Sequence, residues 1–215
     1  MSVLRELHDF LIDLLRNPSL LPAHARFILR GNVKAWRIYT HMTIPERILL
    51  YQRGLACPPG ASMVEIGSYL GASSCFLAAA AHERRGRVYC VDTWHNNGMT
   101  EGRRDTYAEF CYNTRGYAKN IVPLRMLSEE ACRRFHGSVH LLFLDGDHSY
   151  QGVRTDLECW LPRLEVGGWL LLHDYGWAEG VRRAVKDLVI PIQVGEAKIL
   201  PNLYSARVNP KRSTR

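Results

Sequence analysis

The hydrophobic rhythm of the chain changes once, near residue 60. Before that point apolar residues recur at helical spacing among charges. Leu4, Leu7, Leu11, Leu14 and Leu15 in "MSVLRELHDFLIDLLR" share one face, which predicts an amphipathic helix packed on the domain or on a partner subunit. Pro18 and Pro22 interrupt the pattern and a second helical stretch follows. In "THMTIPERILLYQRG", Glu46 follows Thr43 by three residues, Pro45 falls in the first turn and Gly54 is placed past the end. That combination predicts a capping box and a C-terminal stop around one short helix.

From residue 63 short apolar runs alternate with amphipathic ones. "MVEI", "RVYCV", "IVPLRM", "VHLLFL" and "GWLLLH" read as strands, with helices expected over 72–84, 101–119, 128–136, 149–165 and 177–189. Strands that are apolar on both faces and joined by helices predict a parallel sheet covered on each side. "PIQVGEAKIL" and "NLYSARV", separated by Pro201 and Asn202, predict an antiparallel pair at the sheet edge. Ligands of such sheets sit beyond the carboxyl ends of the strands, so the residues that follow each run are the candidates for chemistry.

Composition narrows the setting. A chain of 215 residues with 47% hydrophobic content suits one domain with a single sizeable core, and 23% charged residues excludes wholesale disorder. No apolar run approaches the ~20 residues of a membrane span, and the first helix lacks the apolar stretch and cleavage site of a signal peptide. Six cysteines without a C-x-x-C pair are expected to be free thiols, several of them buried, in a reducing cytoplasm. The net charge of +7 is spread over short pairs such as Arg84-Arg85, Arg103-Arg104 and Arg182-Arg183, which reads as a solvated surface and argues against nucleic acid as partner.

The strand ends carry the candidate chemistry. "VEIGSYLGASS" places Glu65, Gly67 and Gly71 before a helix, where a ligand can approach the backbone and the helix N-terminus favours negative charge. Asp92 ends the second strand, where an acid can accept hydrogen bonds from two ribose hydroxyls or cap the next loop. Asp145, Asp147 and His148 follow the fourth strand, and His173 and Asp174 follow the fifth. Adjacent strands lie ~5 Å apart, so these rims can converge on a divalent cation such as Mg²⁺ or Mn²⁺, or the acids can serve as helix caps. The dinucleotide fingerprint G-x-G-x-x-G is absent, which disfavours a nicotinamide dehydrogenase.

Taken together, "VEIGSYLGASS", "VYCVDTW", "LLFLDGDHSY" and "VGGWLLLHDY" resemble the successive motifs of class I S-adenosylmethionine-dependent methyltransferases. More narrowly they resemble the small bacterial O-methyltransferases of the macrolide-sugar group, and more distantly catechol O-methyltransferase. The resemblance implies an α/β, Rossmann-like fold with a mostly parallel seven-stranded sheet, an antiparallel C-terminal edge pair and N-terminal helices. It covers residues 43–208 as the S-adenosylmethionine-binding domain. Residues 1–42 are left as a helical cap or dimerisation segment and 209–215 as a disordered tail.

By that resemblance Gly67, Tyr69, Gly71 and Ser73 hold the methionine part of the cofactor, with Glu65, Ser68 and Thr93 in the same loops. Asp92 takes the ribose and Ser128 sits beside the adenine. Asp145 lies between the cofactor's amino group and a metal held with His173 and Asp174. The macrolide-sugar enzymes have two consecutive acids where this chain has His173-Asp174, and the catechol enzymes have a lysine base where this chain has His148. Histidine, with an ordinary pKa of ~6.5, is apt as the general base there. The expected reaction is methyl transfer to a hydroxyl of a sugar, phenol or natural product. Rival readings are a metal-independent enzyme acting on nitrogen or RNA and a non-catalytic cofactor-binding protein. Tyr69 and Trp94 are candidates for an aromatic wall at the sulfonium. Tyr107, Phe110, Tyr112 and Tyr117, with Arg103, Arg104 and Arg115, are candidates for the acceptor side.

Overall fold

The computed structural model of the protein describes residues 16–95 and 104–210. The expected first helix, Arg103 and most of the C-terminal tail lie outside the described residues. Helix α1 (Leu21–Leu29) leads through a 3₁₀ turn at Asn32–Arg37 to α2 (Ile44–Leu55). At the start of α2 the Thr43 backbone N–H donates to Glu46 Oε2 at 2.7 Å, the arm of the capping box the sequence predicts. Gly54 is not the stop that its position suggests. It lies inside α2, and a Cβ there would come 2.6 Å from Ala80 Cβ, so it permits close approach of the next helix.

The strands follow as expected, with helices between them: β1 (Ser62–Ile66), α3 (Ala72–Arg84), β2 (Arg87–Asp92), α4 (Tyr107–Thr114), β3 (Ile121–Arg125), α5 (Ser128–Arg134), β4 (Val139–Leu144), α6 (Tyr150–Trp160), β5 (Leu164–Leu172), α7 (Glu179–Ala184), β6 (Gln193–Ile199) and β7 (Tyr204–Val208). Helix α6 is shorter than the sequence pattern suggests, because Pro162 cannot continue it and the chain passes through a 3₁₀ turn into a longer β5. The last expected helix also divides, into α7 and a π-helical turn at Val185–Val189.

The seven strands form one sheet in the order β3-β2-β1-β4-β5-β7-β6, parallel except for β7, which runs antiparallel to both of its neighbours. Inward residues alternate between two cores with the period of two that a strand imposes. Met63, Val88, Cys90, Leu141, Phe143 and Leu171 face α1, α2 and α3. Val64, Ile66, Val91, Leu142, Leu144, Leu170 and Leu172 face α5, α6 and α7. Leu20, Ala23, Phe27, Ala35 and Met42 join the first core, so residues 20–42 pack into the same body as the strands. The register sets Ile66 beside Val91 and Leu144, and Leu144 beside Leu172. The residues after four strands therefore emerge in one row, at the switch point where the sheet order reverses from β1.

One expectation about the cysteines fails. Cys132 on α5 and Cys159 on α6 form a disulfide with Cα atoms 6.3 Å apart, whereas Cys57, Cys75 and Cys90 are buried free thiols. The two cysteines lie 27 residues apart in sequence, and only the packing of α5 against α6 brings them together. No helix among the described residues is long and apolar enough to cross a membrane.

Candidate active site

The glycine loop after β1 is built by close approach. Gly67 has φ +84°, and a Cβ on it would lie 2.1 Å from the Asp145 carbonyl oxygen. Its N–H donates to Val91 O at 2.9 Å, while the Asp145 N–H donates to Ile66 O at 2.8 Å, lacing the ends of β1, β2 and β4. The Asp92 carboxylate holds the loop: Oδ2 accepts from the Ser68 and Tyr69 N–H groups at 2.9 Å each, and Oδ1 accepts from the Trp94 N–H at 2.6 Å. A carboxylate offers about four acceptor sites, so these three bonds leave capacity for a ligand hydroxyl.

Glu65 stands behind this loop. It is fully buried, and Oε2 accepts from Ser68 Oγ at 2.7 Å and from Ser74 Oγ. Burial pushes its carboxyl up against the opposing hydrogen bonds of Ser73, Ser74 and Ser68. Presenting no surface, it supports the loop through serines. Ser73 is buried at the first turn of α3, and Gly71 (φ +86°) lies against Thr114 and Phe110. Tyr69, Trp94 and Asp174 all adopt positive φ, at 44°, 54° and 58°, immediately after β1, β2 and β5. Left-handed conformations cost non-glycine residues on the order of 1–3 kcal/mol each and cluster at functional sites.

The second half of the rim is a cluster of two carboxylates and two imidazoles. His148 Nε2 lies 2.7 Å from Asp174 Oδ2, and His173 Nδ1 lies 3.0 Å from Asp145 Oδ1 and 3.2 Å from Asp174 Oδ1. Asp174 Oδ1 also accepts from Trp177 Nε1 at 2.7 Å, and the exposed Trp177 ring meets His148 edge-on at 5.2 Å. Beneath them Glu46, fully buried on α2, accepts from the Asn202 N–H at 2.7 Å and approaches His173 Nε2 at 3.8 Å.

Each charge is set by these contacts. Burial would raise Asp174, but the two histidines hold it well below the usual carboxylate range. Burial raises Asp145 despite the neighbouring His173. The bond to Asp174, with the nearby acids, raises His148 above its ordinary value and outweighs its partial burial. Burial would lower His173, yet Asp145, Asp174 and Glu46 raise it.

The sequence and the structure select overlapping ligand sets. Asp145, His148 and Asp174 each present a ligand atom, all within 4.8 Å of one another, which suits a divalent cation with nitrogen and oxygen donors. His173, expected as the third ligand, is instead buried behind the carboxylates with Nδ1 facing both of them, and His148 takes its place in the converging trio. Asp147 supports the loop, its Oδ1 accepting from the Ser149 N–H at 2.7 Å.

Among the other candidates, Ser128 Oγ accepts from Trp160 Nε1 at 3.0 Å. Thr93 Oγ1 accepts from the His95 N–H at 3.3 Å. Trp94 is fully buried, donates from Nε1 to Tyr69 O at 2.9 Å and packs on Tyr107 and Phe110, so it belongs to the core rather than to a wall at the cofactor. Tyr117 donates to Asn32 Oδ1 at 2.7 Å. Tyr112 is exposed beneath the Arg115 guanidinium, and Arg104 pairs with Glu109 at 2.7 Å. Glu46 and Trp177 are the site residues that sequence reasoning missed. Glu46 already had a sufficient role as a helix cap, and nothing in the order of residues connects it to a strand end 127 positions away.

Comparison with known proteins agrees with this geometry. A family model described as "Methyltransferase domain" matches residues 64–175. The uncharacterized protein y4gI of Sinorhizobium fredii (strain NBRC 101917 / NGR234) is 29% identical over 164 residues, 74% of this chain but 16% of that protein, so the chain spans a small part of this relative's length. Among solved structures, the O-methyltransferase NovP superposes with a TM-score of 0.61 at 18% identity, covering 79% of this chain and 82% of its own. The O-methyltransferase TomG from Streptomyces achromogenes, solved in complex with SAM, gives 0.61 at 15% identity, covering 78% and 81%. Likeness at these identities shows the fold.

Proposed function

The chain belongs to the methyltransferase-domain family, and on that premise we propose that it transfers the methyl group of S-adenosylmethionine to a hydroxyl of a small molecule, with His148 as general base. The observation that carries this reading is the half-exposed His148 held by buried Asp174 at 2.7 Å, on the same rim as the glycine loop. In this reading Gly67, Ser68, Tyr69, Gly71 and Ser73 form the cradle for the methionine end, with Glu65 fixing the serines from behind. Asp92 and Thr93 receive the ribose, Ser128 lies at the adenine, and Asp145 accepts from the cofactor's amino group.

The chemistry asked of the protein is limited. The sulfonium is already a leaving group, so the chain must hold the acceptor oxygen in line with the S–CH₃ bond at ~3 Å and remove its proton. Neutral His148 takes that proton as the O–CH₃ bond forms and the S–CH₃ bond breaks. Asp174 stabilises the resulting imidazolium, and the exposed edge of the ring returns the proton to solvent. Asp145, Asp174 and His148 are the residues that would hold Mg²⁺ or Mn²⁺; such an ion would supply a Lewis acid that lowers the pKa of the acceptor hydroxyl, and with His148 as a ligand the ion would replace it as the base. The relatives named O-methyltransferases support a hydroxyl acceptor.

The test is transfer of labelled methyl from S-adenosylmethionine to a panel of sugar nucleotides, phenols and alcohol natural products, with chelator and with added Mn²⁺. Labelling of a hydroxyl acceptor, reduced ~10²–10⁴-fold in His148→Ala, is expected. Labelling confined to amines or RNA, or an unaffected His148→Ala rate, would refute the assignment. Activity that survives chelation would place the whole proton-transfer role on the His148–Asp174 pair.

A further inference from the structure

A second concentration of charge lies away from the rim, where α2 crosses β5 and β7. The Arg53 guanidinium carbon sits 4.0 Å from the Trp169 ring centroid, and the Arg207 guanidinium carbon sits 4.4 Å from the same ring. Two cations thus share one indole. Arg53 spends one donor, Nε to Ser205 Oγ at 3.1 Å, and Arg207 spends one, Nη1 to Gly167 O at 2.9 Å. A guanidinium has five donors, so most remain unspent. Trp169 Nε1 is buried without a hydrogen-bond partner.

Among the described residues neither guanidinium forms an ion pair, and a further cation, Lys198, lies near enough to feel Arg53; it donates to Ser19 Oγ at 2.5 Å. Burial and the neighbouring Arg207 lower the Arg53 pKa, and burial and Arg53 lower that of Lys198. Arg207 is exposed and Arg53 partly so, and two like charges held together without a carboxylate favour an arriving anion. Trp169 precedes Asp174 by five residues of extended chain, roughly 15 Å, so this cluster is separate from the catalytic rim.

We propose that Arg53, Trp169 and Arg207 form a binding site for a phosphate dianion, free or carried by a small phosphomonoester. Charge selects the ligand: two guanidiniums without an ion pair match a charge of −2 better than a single carboxylate would, and a guanidinium can give paired N–H bonds to phosphate oxygens. The site needs no residue of the methyl-transfer machinery, and it stands or falls independently of the acceptor chemistry.

The experiment is a titration of the full chain with inorganic phosphate and, in a separate arm, glycerol phosphate, at ionic strength fixed with chloride. Two readouts are followed: tryptophan emission and the thermal midpoint. Saturation with a millimolar dissociation constant is expected, with the emission change absent in Trp169→Phe. Arg207→Gln, a change at an exposed residue, is expected to weaken binding at least tenfold, and Arg53→Met to do the same. Tighter binding of glycerol phosphate than of inorganic phosphate would identify a phosphomonoester as the ligand, and the reverse order would identify the free ion. A response no larger than that to chloride, or one unchanged in Arg207→Gln, would overturn the proposal. Should Arg53→Met fail to fold, Arg207→Gln decides alone.

Discussion

Asp156 offers a sharp test of the energetics beneath the rim. It lies on α6, is 8% exposed, and lines the hollow under Asp145 and His148 with Ser128 as its hydrogen-bonding neighbour. Burial pushes its carboxyl from an ordinary 3.8 up to about 6, helped by Asp147 and Glu129 and opposed by the bond to Ser128. An acid raised in the folded state keeps its proton longer than in the unfolded chain, so folding carries no penalty below pH 3.8. The penalty grows between 3.8 and about 6 and is constant above. At 1.36 kcal/mol per pH unit, that interval corresponds to ~3 kcal/mol at pH 8.

Asp156→Asn preserves the shape and the acceptor toward Ser128 while removing the titration. It is expected to be more stable than the wild type by ~2–3 kcal/mol at pH 8, with the difference shrinking toward zero near pH 4. Urea unfolding at pH 4, 6 and 8 measures this directly. A variant less stable at pH 8, or a difference that does not change with pH, would refute the burial argument and indicate that the ionised carboxylate is well compensated.

Other substitutions probe independent parts of the account. Arg47 is buried between Trp36 and Phe76 with Nε and Nη1 lacking hydrogen-bond partners, so Arg47→Met should leave stability within ~1 kcal/mol or raise it, and a loss above ~3 kcal/mol in chemical denaturation would show an uncounted partner. Gly67→Ala should cost roughly 3 kcal/mol or more and abolish S-adenosylmethionine binding, because its methyl would collide with the Asp145 carbonyl. Retained calorimetric binding would contradict that. Reduction of Cys132–Cys159, which closes a loop of 27 residues, should lower stability by about 3–4 kcal/mol, checked by unfolding with and without dithiothreitol and in Cys132→Ser.

The parts legible in the sequence were those governed by local pattern. Alternation of apolar runs gave the parallel strands, and Pro201-Asn202 marked the turn into the antiparallel β7. Chain order also located the rim, because residues after parallel strands emerge on one edge. What escaped were choices made by packing across long separations. Gly54 resembles a helix stop until α3 presses Ala80 against it. The sequence assigns the ligand role to His173 and the base role to His148, and only the pairing of β4 with β5 turns His148 toward the carboxylates while it buries His173 against Glu46. The Cys132–Cys159 bond depends on two helices facing each other, and the burial of Glu65 behind the loop, bonded to its serines, comes from the packing of β1 against α3.

The most direct test of the central claim is calorimetric titration of the protein with S-adenosylmethionine, alongside Asp92→Ala. Asp92 holds the glycine loop through the Ser68 and Tyr69 N–H groups and is the proposed ribose acceptor. Micromolar binding that is lost in the variant is the predicted result. No binding by the wild type, or equal binding by Asp92→Ala, would contradict the cofactor site as described.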